Sequence, residues 1–126
     1  MIERTISPYL ISLFDQYPFV TVTGPRQSGK TTLCRATFPD LKYANLEAPE
    51  QREFAQRDPN GFLAQLEGGA ILDEIQRVPE ILSYLQVLAD EHGGNGLFVL
   101  TGSEQFSVSD AINQSLAGRT ALLRLL

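Results

Sequence analysis

Gly24-Pro25-Arg26-Gln27-Ser28-Gly29-Lys30-Thr31 is the stretch that decides the fold. It has the form G-x-x-x-x-G-K-[ST], the spacing of a loop that cradles phosphate between a strand and a helix. Just before it, Phe19-Val20-Thr21-Val22-Thr23 is a β-branched run suited to a buried parallel strand. Just after it, Lys30 to Thr37 reads as a helix that ends before Phe38-Pro39-Asp40. In such a loop successive backbone N–H groups must converge on phosphate oxygens. Gly24 lets the chain leave the strand tightly, and Gly29 keeps the closest approach open. Lys30 sets a point charge on the β- and γ-phosphates, and the Thr31 hydroxyl is a hard oxygen ligand for Mg²⁺. The N–H groups of the first helical turn favour an anion. The expected nucleotide-binding set is therefore Gly24, Pro25, Arg26, Gln27, Ser28, Gly29, Lys30, Thr31 and Thr32.

Working outward, residues 1–18 form an apolar-faced helical segment. Ser7 is placed to cap it, Pro8 to occupy its first turn, and Leu10, Ile11, Leu13 and Phe14 follow at helical spacing. Downstream, Tyr43-Ala44-Asn45-Leu46-Glu47 is a short second strand and Pro49 opens a helix to about Arg57. Asp58-Pro59-Asn60-Gly61 reads as a turn and Phe62 to Leu66 as a short helix. Ala70 to Ile75 is the third strand, Pro79 to Glu91 the clearest helix, and Leu97 to Leu100 a fourth strand closing on Thr101-Gly102-Ser103. A helix around Ser109–Leu116 and a fifth strand over Thr120–Leu126 complete the chain. This alternation calls for an α/β three-layer sandwich, the P-loop nucleoside-triphosphatase architecture, with a mainly parallel five-stranded sheet. Ligands in such sheets sit outside the carboxyl ends of the strands.

The length of 126 residues fits one domain, 1–126, with a core of its own. No apolar run approaches the ~20 residues that span a bilayer, and no signal peptide opens the chain. A net charge of −5 argues against a general nucleic-acid-binding surface. One cysteine excludes an intramolecular disulfide and suits a reducing cytoplasm.

Asp73-Glu74 ends an apolar strand, the arrangement called Walker B. Asp73 is placed to hold Mg²⁺ and Glu74 to act as base or positioner for an attacking water. Thr101 and Ser103, at the next strand end, are candidates to sense the γ-phosphate, unless they merely form a turn around Gly102. Arg119 is a candidate catalytic arginine acting within or between subunits, or else a surface residue before the last strand. Cys34 reads as small-residue packing and His92 as solvated.

The blocks GPRQSGKTTL, YANLE, AILDEIQRVPEIL, LFVLTGS and SLAGR, in this order, resemble the prokaryotic AAA-type ATPases whose phosphate loop reads GPRQ-x-GKTTL. The resemblance runs from about Phe19 to Leu126. It implies that Lys30 and Thr31 bind phosphate and Mg²⁺, that Asp73 is the Walker B aspartate and that Glu74 is the catalytic glutamate. Members usually continue into a C-terminal domain, often nuclease-like in fold, so the chain is expected to be the ATPase core alone.

These readings point to a cytoplasmic ATP-binding hydrolase that takes ATP with Mg²⁺, yields ADP, and is a possible homo-oligomer. Two other readings stand beside it: a nucleotide-binding switch or interaction module with negligible hydrolysis, and a small-molecule kinase on the same fold. Glu74 speaks against the kinase, because a water-activating base beside the acceptor would waste ATP.

Overall fold

The β-branched run that precedes the phosphate loop forms an inner strand of the sheet. A computed structural model describes residues 2–25, 28–103 and 115–125, with side chains from Ile6 onward. Strand β1, Phe19–Gly24, is buried at every position. It is flanked on one side by β4, Phe98–Ser103, and on the other by β5, Thr120–Arg124. Beyond β4 lie β3, Ala70–Asp73, and β2, Lys42–Asn45. The sheet order is β2-β3-β4-β1-β5, and every pairing is parallel. Parallel strands need crossovers, and helices supply them: α2 Lys30–Thr37 between β1 and β2, α3 Pro49–Arg57 and α4 Pro59–Ala64 between β2 and β3, and α5 Ile81–His92 between β3 and β4, while α1 Ile2–Gln16 precedes β1.

Alternation along each strand divides the core in two. Val20, Val22, Ile71 and Val99 face one side, where they pack with Leu10 and Leu13 of α1 and Leu33 and Cys34 of α2. Phe19, Leu72 and Leu100 face the other, with Ala55 of α3, Phe62 and Leu63 of α4, and Leu82 and Leu85 of α5. A sheet covered on both faces makes continuous apolar strands stable. The expected three-layer architecture is what forms, and the sheet is parallel throughout rather than mainly so.

Several boundaries differ from the sequence reading. Helix α1 runs straight through Ser7 and Pro8 instead of starting there. The Ser7 hydroxyl bonds the Thr37 hydroxyl at 2.7 Å, tying α1 to the end of α2 rather than capping a helix. Strand β2 stops at Asn45, whose side-chain oxygen accepts from the Glu47 N–H at 2.9 Å and turns the chain. The stretch Asp58-Pro59-Asn60-Gly61 is the start of α4 and not a separate turn. Asp58 caps it by accepting from the Gly61 N–H at 3.1 Å, and Pro59 takes the first helical position. Strand β3 ends at Asp73, because Glu74 turns left-handed and a 3-10 turn, Ile75–Arg77, follows. All but the last two residues of the helix expected around Ser109–Leu116 lie outside the described residues.

Candidate nucleotide site

The carboxyl ends of β1, β3 and β4 converge, and their register decides which side chains meet. Gly24 ends β1 against the last residues of the β5 segment. A Cβ there would lie 2.9 Å from Ser28 Oγ and 3.1 Å from the Leu125 carbonyl oxygen, so only glycine lets the chain turn off the strand. Gly29 sits at φ 86, ahead of α2, and has open space around its Cα. Its requirement for glycine is therefore the backbone conformation. Gly29 offers no side-chain cap, which leaves the N–H groups of Lys30, Thr31 and Thr32 at an uncapped helix start. Arg26 and Gln27, expected in the same loop, lie outside the described residues.

Lys30 is 4% exposed, unusually deep for an ammonium, and its Nζ stands 3.7 Å from Glu74 Oε2. Asp73 is also 4% exposed. Burying a carboxylate is costly unless donors meet its oxygens, and three hydroxyls do so. Thr31 Oγ1 donates to both oxygens at 2.9 and 3.1 Å, Tyr43 donates its hydroxyl to Oδ2 at 2.6 Å, and Thr101 donates to Oδ1. Thr31 and Asp73, the pair expected to hold the metal, are thus in direct contact. The Ser28 and Ser103 hydroxyls are buried and, among the described residues, have no hydrogen-bond partner.

Glu74 is the one non-glycine residue with positive φ among the described residues, at φ 60 and ψ 55. Such a conformation costs on the order of 1–3 kcal/mol and persists only where the surroundings enforce it. Here the Glu74 N–H donates to Thr101 Oγ1 at 2.9 Å, and its carbonyl accepts from the Arg77 N–H at 3.1 Å. Ile75 and Val78 anchor the following turn in the core. The left-handed residue sends the Asp73 and Glu74 side chains in different directions.

Thr101 departs from its expected role. Its hydroxyl lies fully buried between Asp73 and the Glu74 N–H, where it braces the acidic pair instead of facing a phosphate. Replacing it with valine would orphan the Glu74 N–H. An unsatisfied buried group costs about 1–3 kcal/mol, so Thr101→Val should lose about 2 kcal/mol in a urea titration and Thr101→Ser much less. Equal midpoints for wild type and the valine variant would show that the brace contributes nothing.

Arg119 departs further. Its carbonyl accepts from the Phe19 N–H at 3.0 Å, at the amino end of β1, and its guanidinium pairs with Asp90 of α5 at 2.8 Å. The phosphate loop begins five residues along β1, about 17 Å away at strand rise. Arg119 therefore cannot serve the loop of its own chain. A cavity of about 580 Å³ lies at this same amino end, lined in part by Leu63, Tyr84, Val87 and Phe98. It contains none of the loop residues, so the chemistry and not the concavity locates the nucleotide site.

Tyr43 and Gln76 are additions that reasoning from sequence missed, although both fall inside the motif blocks YANLE and AILDEIQRVPEIL. Tyr43 lies under the Arg35 guanidinium, 4.3 Å from its ring centroid. Burial, and then its bond to Asp73, push the Tyr43 hydroxyl pKa up, so it remains a donor. The Gln76 amide donates to Glu74 Oε1 at 2.7 Å. Cys34, in the same region, is buried, and its thiol is pushed up to about 12, first by burial and then by the charge of Asp73. A protonated, enclosed thiol is inert packing, in line with the expectation.

Among the described residues no cluster of three or more His, Cys, Asp or Glu side chains is placed to hold a metal. Mg²⁺ does not require one, because it keeps waters and takes one or two protein oxygens together with phosphates. No described helix is long and apolar enough to cross a membrane.

Comparisons with known proteins agree with this architecture. The chain is 35% identical over 109 residues to uncharacterized protein Rv2008c of Mycobacterium tuberculosis, and equally to uncharacterized protein Mb2031c of Mycobacterium bovis. Each match covers 86% of this chain and 25% of the relative, so the chain spans about a quarter of the length of these curated relatives. Among solved structures, the DnaC helicase loader superposes with a TM-score of 0.62 at 13% identity, covering 97% of this chain and 87% of that one. A Walker-type ATPase of Pyrococcus abyssi gives 0.61 at 20% identity, covering 94% and 52%. At these identities the two structures speak for the fold alone. The model of the AAA domain family matches residues 16–126, and with that match across nearly the whole chain the protein belongs to this family as a P-loop AAA-type ATPase core.

Proposed function

We propose that this chain binds ATP with Mg²⁺ and hydrolyses it to ADP by in-line attack of water on the γ-phosphate. The observation that carries the reading is the junction of β1, β3 and α2: a buried Lys30 at an uncapped helix start, beside an Asp73 that Thr31 contacts at 2.9 Å. A buried ammonium next to free helix N–H groups is a site built for a polyanion. The Ser28 and Ser103 hydroxyls, without a hydrogen-bond partner among the described residues, are further polar groups of the loop and of the adjoining end of β4.

Gly24, Pro25, Ser28 and Gly29 belong to the loop, to which the sequence motif also assigns Arg26 and Gln27, and Lys30 neutralises phosphate charge. Thr32 contributes its backbone N–H. Thr31 and Asp73 are the protein oxygens for the metal, and Tyr43 and Thr101 hold Asp73 in orientation. Mg²⁺, when bound, neutralises charge on the phosphate oxygens. Glu74 orients the attacking water and takes its proton. The protein's contribution is positioning and charge neutralisation, which supply most of the rate in phosphoryl transfer. Arg119 could act only on a nucleotide held by a neighbouring copy of the chain, which ties any catalytic role for it to homo-oligomerisation.

The test is phosphate release from purified protein with ATP or GTP, with Mg²⁺ and with EDTA. Magnesium-dependent release from ATP is expected. Tight ATP binding without release would make the chain a nucleotide switch, and phosphate appearing on an added small molecule would make it a kinase.

A further inference from the structure

Among the described residues, the hydrogen bond that Glu74 accepts on its carboxylate comes from Gln76, two residues on. We propose that Gln76 is a positioning residue that sets the orientation of the Glu74 carboxylate. The inference rests on the ATPase reading and adds a residue to it.

Three observations support it. First, the two oxygens of Glu74 are held differently. Oε1 accepts from Gln76 Nε2 at 2.7 Å, whereas Oε2 faces Lys30 Nζ at 3.7 Å, too long for a hydrogen bond. Lys30 is also the residue whose charge phosphate oxygens attract. A carboxylate held by Lys30 alone would lose its orientation as soon as phosphate engaged that ammonium. The bond from Gln76 does not depend on Lys30 and persists when phosphate draws Lys30 away.

Second, the amide itself is oriented. Gln76 Oε1 accepts from the Ser103 N–H at 3.3 Å, at the carboxyl end of β4. A flipped amide would set its NH₂ against the Ser103 N–H and its carbonyl oxygen against a carboxylate oxygen. Both contacts would be repulsive, so the network allows one orientation. The end of β4 thereby fixes Gln76, and Gln76 fixes Glu74.

Third, the platform is rigid. Gln76 occupies the middle of the 3-10 turn Ile75–Arg77, which follows the left-handed Glu74. Ile75 is 1% exposed and Val78 fully buried on either side of it, and the Val78 N–H donates to the Ile75 carbonyl at 3.1 Å. The strained turn folds the Gln76 side chain back towards Glu74. An outlier conformation at a reacting group is a reason to look for such a role.

The test compares kcat and ATP affinity in wild type, Gln76→Leu, Gln76→Glu and Glu74→Gln, with thermal melts of each. Gln76→Leu removes the donor, and a misoriented catalytic group costs on the order of tenfold to a hundredfold in kcat. Gln76→Glu keeps the shape but replaces the donor with a second carboxylate, so its kcat should fall further than that of Gln76→Leu. Affinity for Mg-ATP should stay within about threefold in both, because neither touches phosphate. A merely structural role would make the near-isosteric Gln76→Glu the milder change and would lower affinity and melting temperature together. That pattern, or wild-type kcat in both variants while Glu74→Gln is inactive, overturns the role of Gln76 and leaves the ATPase reading standing. A wild type that releases no phosphate overturns both, whereas a Glu74→Gln variant with full turnover overturns the roles of Glu74 and Gln76 and leaves ATP hydrolysis standing.

Discussion

Glu74→Gln should keep ATP bound and all but stop its hydrolysis. The substitution preserves the shape of the side chain and one acceptor oxygen, so the bond from Gln76 Nε2, now 2.7 Å long, can be retained. The left-handed backbone is held by Thr101 and by the Ile75–Val78 anchors, none of which the substitution touches. What disappears is the negative charge and the basicity, and general-base catalysis is typically worth about 10²–10⁴-fold. Single-turnover hydrolysis should therefore fall by at least about 10²-fold, with ATP affinity within a few-fold of wild type. Asp73→Asn should fail in another way. Asp73 accepts from Thr31, Tyr43 and Thr101, so its amide would place an NH₂ against a hydroxyl donor and remove the charge meant for the metal. That variant should bind Mg-ATP poorly. If Glu74→Gln turns ATP over at the wild-type rate, Glu74 is not the base and the attacking water is activated without its carboxylate.

The parts of the site legible in the sequence are those fixed by short-range spacing. A strand, a glycine-bearing loop and a helix start occupy consecutive residues, so Gly24 through Thr32 declare their geometry without reference to the rest of the chain. Asp73 at the end of an apolar strand is likewise local. The three-layer sandwich followed from alternating strands and helices, since parallel strands with apolar residues on both faces require cover on both sides.

What was not legible depends on strand order. Tyr43 meets Asp73 because β2 lies beside β3 in a register that sets Asn45 opposite Asp73. Nothing in the spacing of two segments about thirty residues apart states that adjacency. Thr101 turned inward for the same reason. The β3–β4 register sets Leu72 opposite Leu100, and the next residues, Asp73 and Thr101, come within hydrogen-bonding reach. Arg119 was misplaced within the chain for a reason the sequence did contain. In a parallel sheet a residue just before a strand lies at the amino end, opposite the phosphate loop, and Arg119 directly precedes β5. Ser7-Pro8 misled in the opposite sense: a pattern that often starts a helix lies within one, with the Ser7 hydroxyl bonded to Thr37 instead.

Lys30 carries the second large expected effect, and the measurement is the gain in stability on adding ATP with Mg²⁺. A ligand that binds only the folded chain stabilises it by about 2.7 kcal/mol at a hundredfold excess over its dissociation constant. For a chain of this length that corresponds to a rise of roughly 10 °C in melting temperature. Lys30 is the buried cation of the loop, so Lys30→Ala should abolish most of the shift. The stability of the variant without nucleotide is a poor measure, because removing the ammonium also strips Glu74 of its neighbouring positive charge, 3.7 Å away, and empties the space of a buried side chain. Lys30→Met separates these effects, since it keeps an unbranched apolar stem in the same channel without the charge. Both variants should lose the nucleotide-induced shift, while Lys30→Met retains more of the packing and so melts above Lys30→Ala. The comparison thus assigns the lost shift to the charge and the remaining difference to the stem. A full shift in Lys30→Met would mean that phosphate is held by the loop amides alone, and the buried ammonium would then be a structural partner of Glu74.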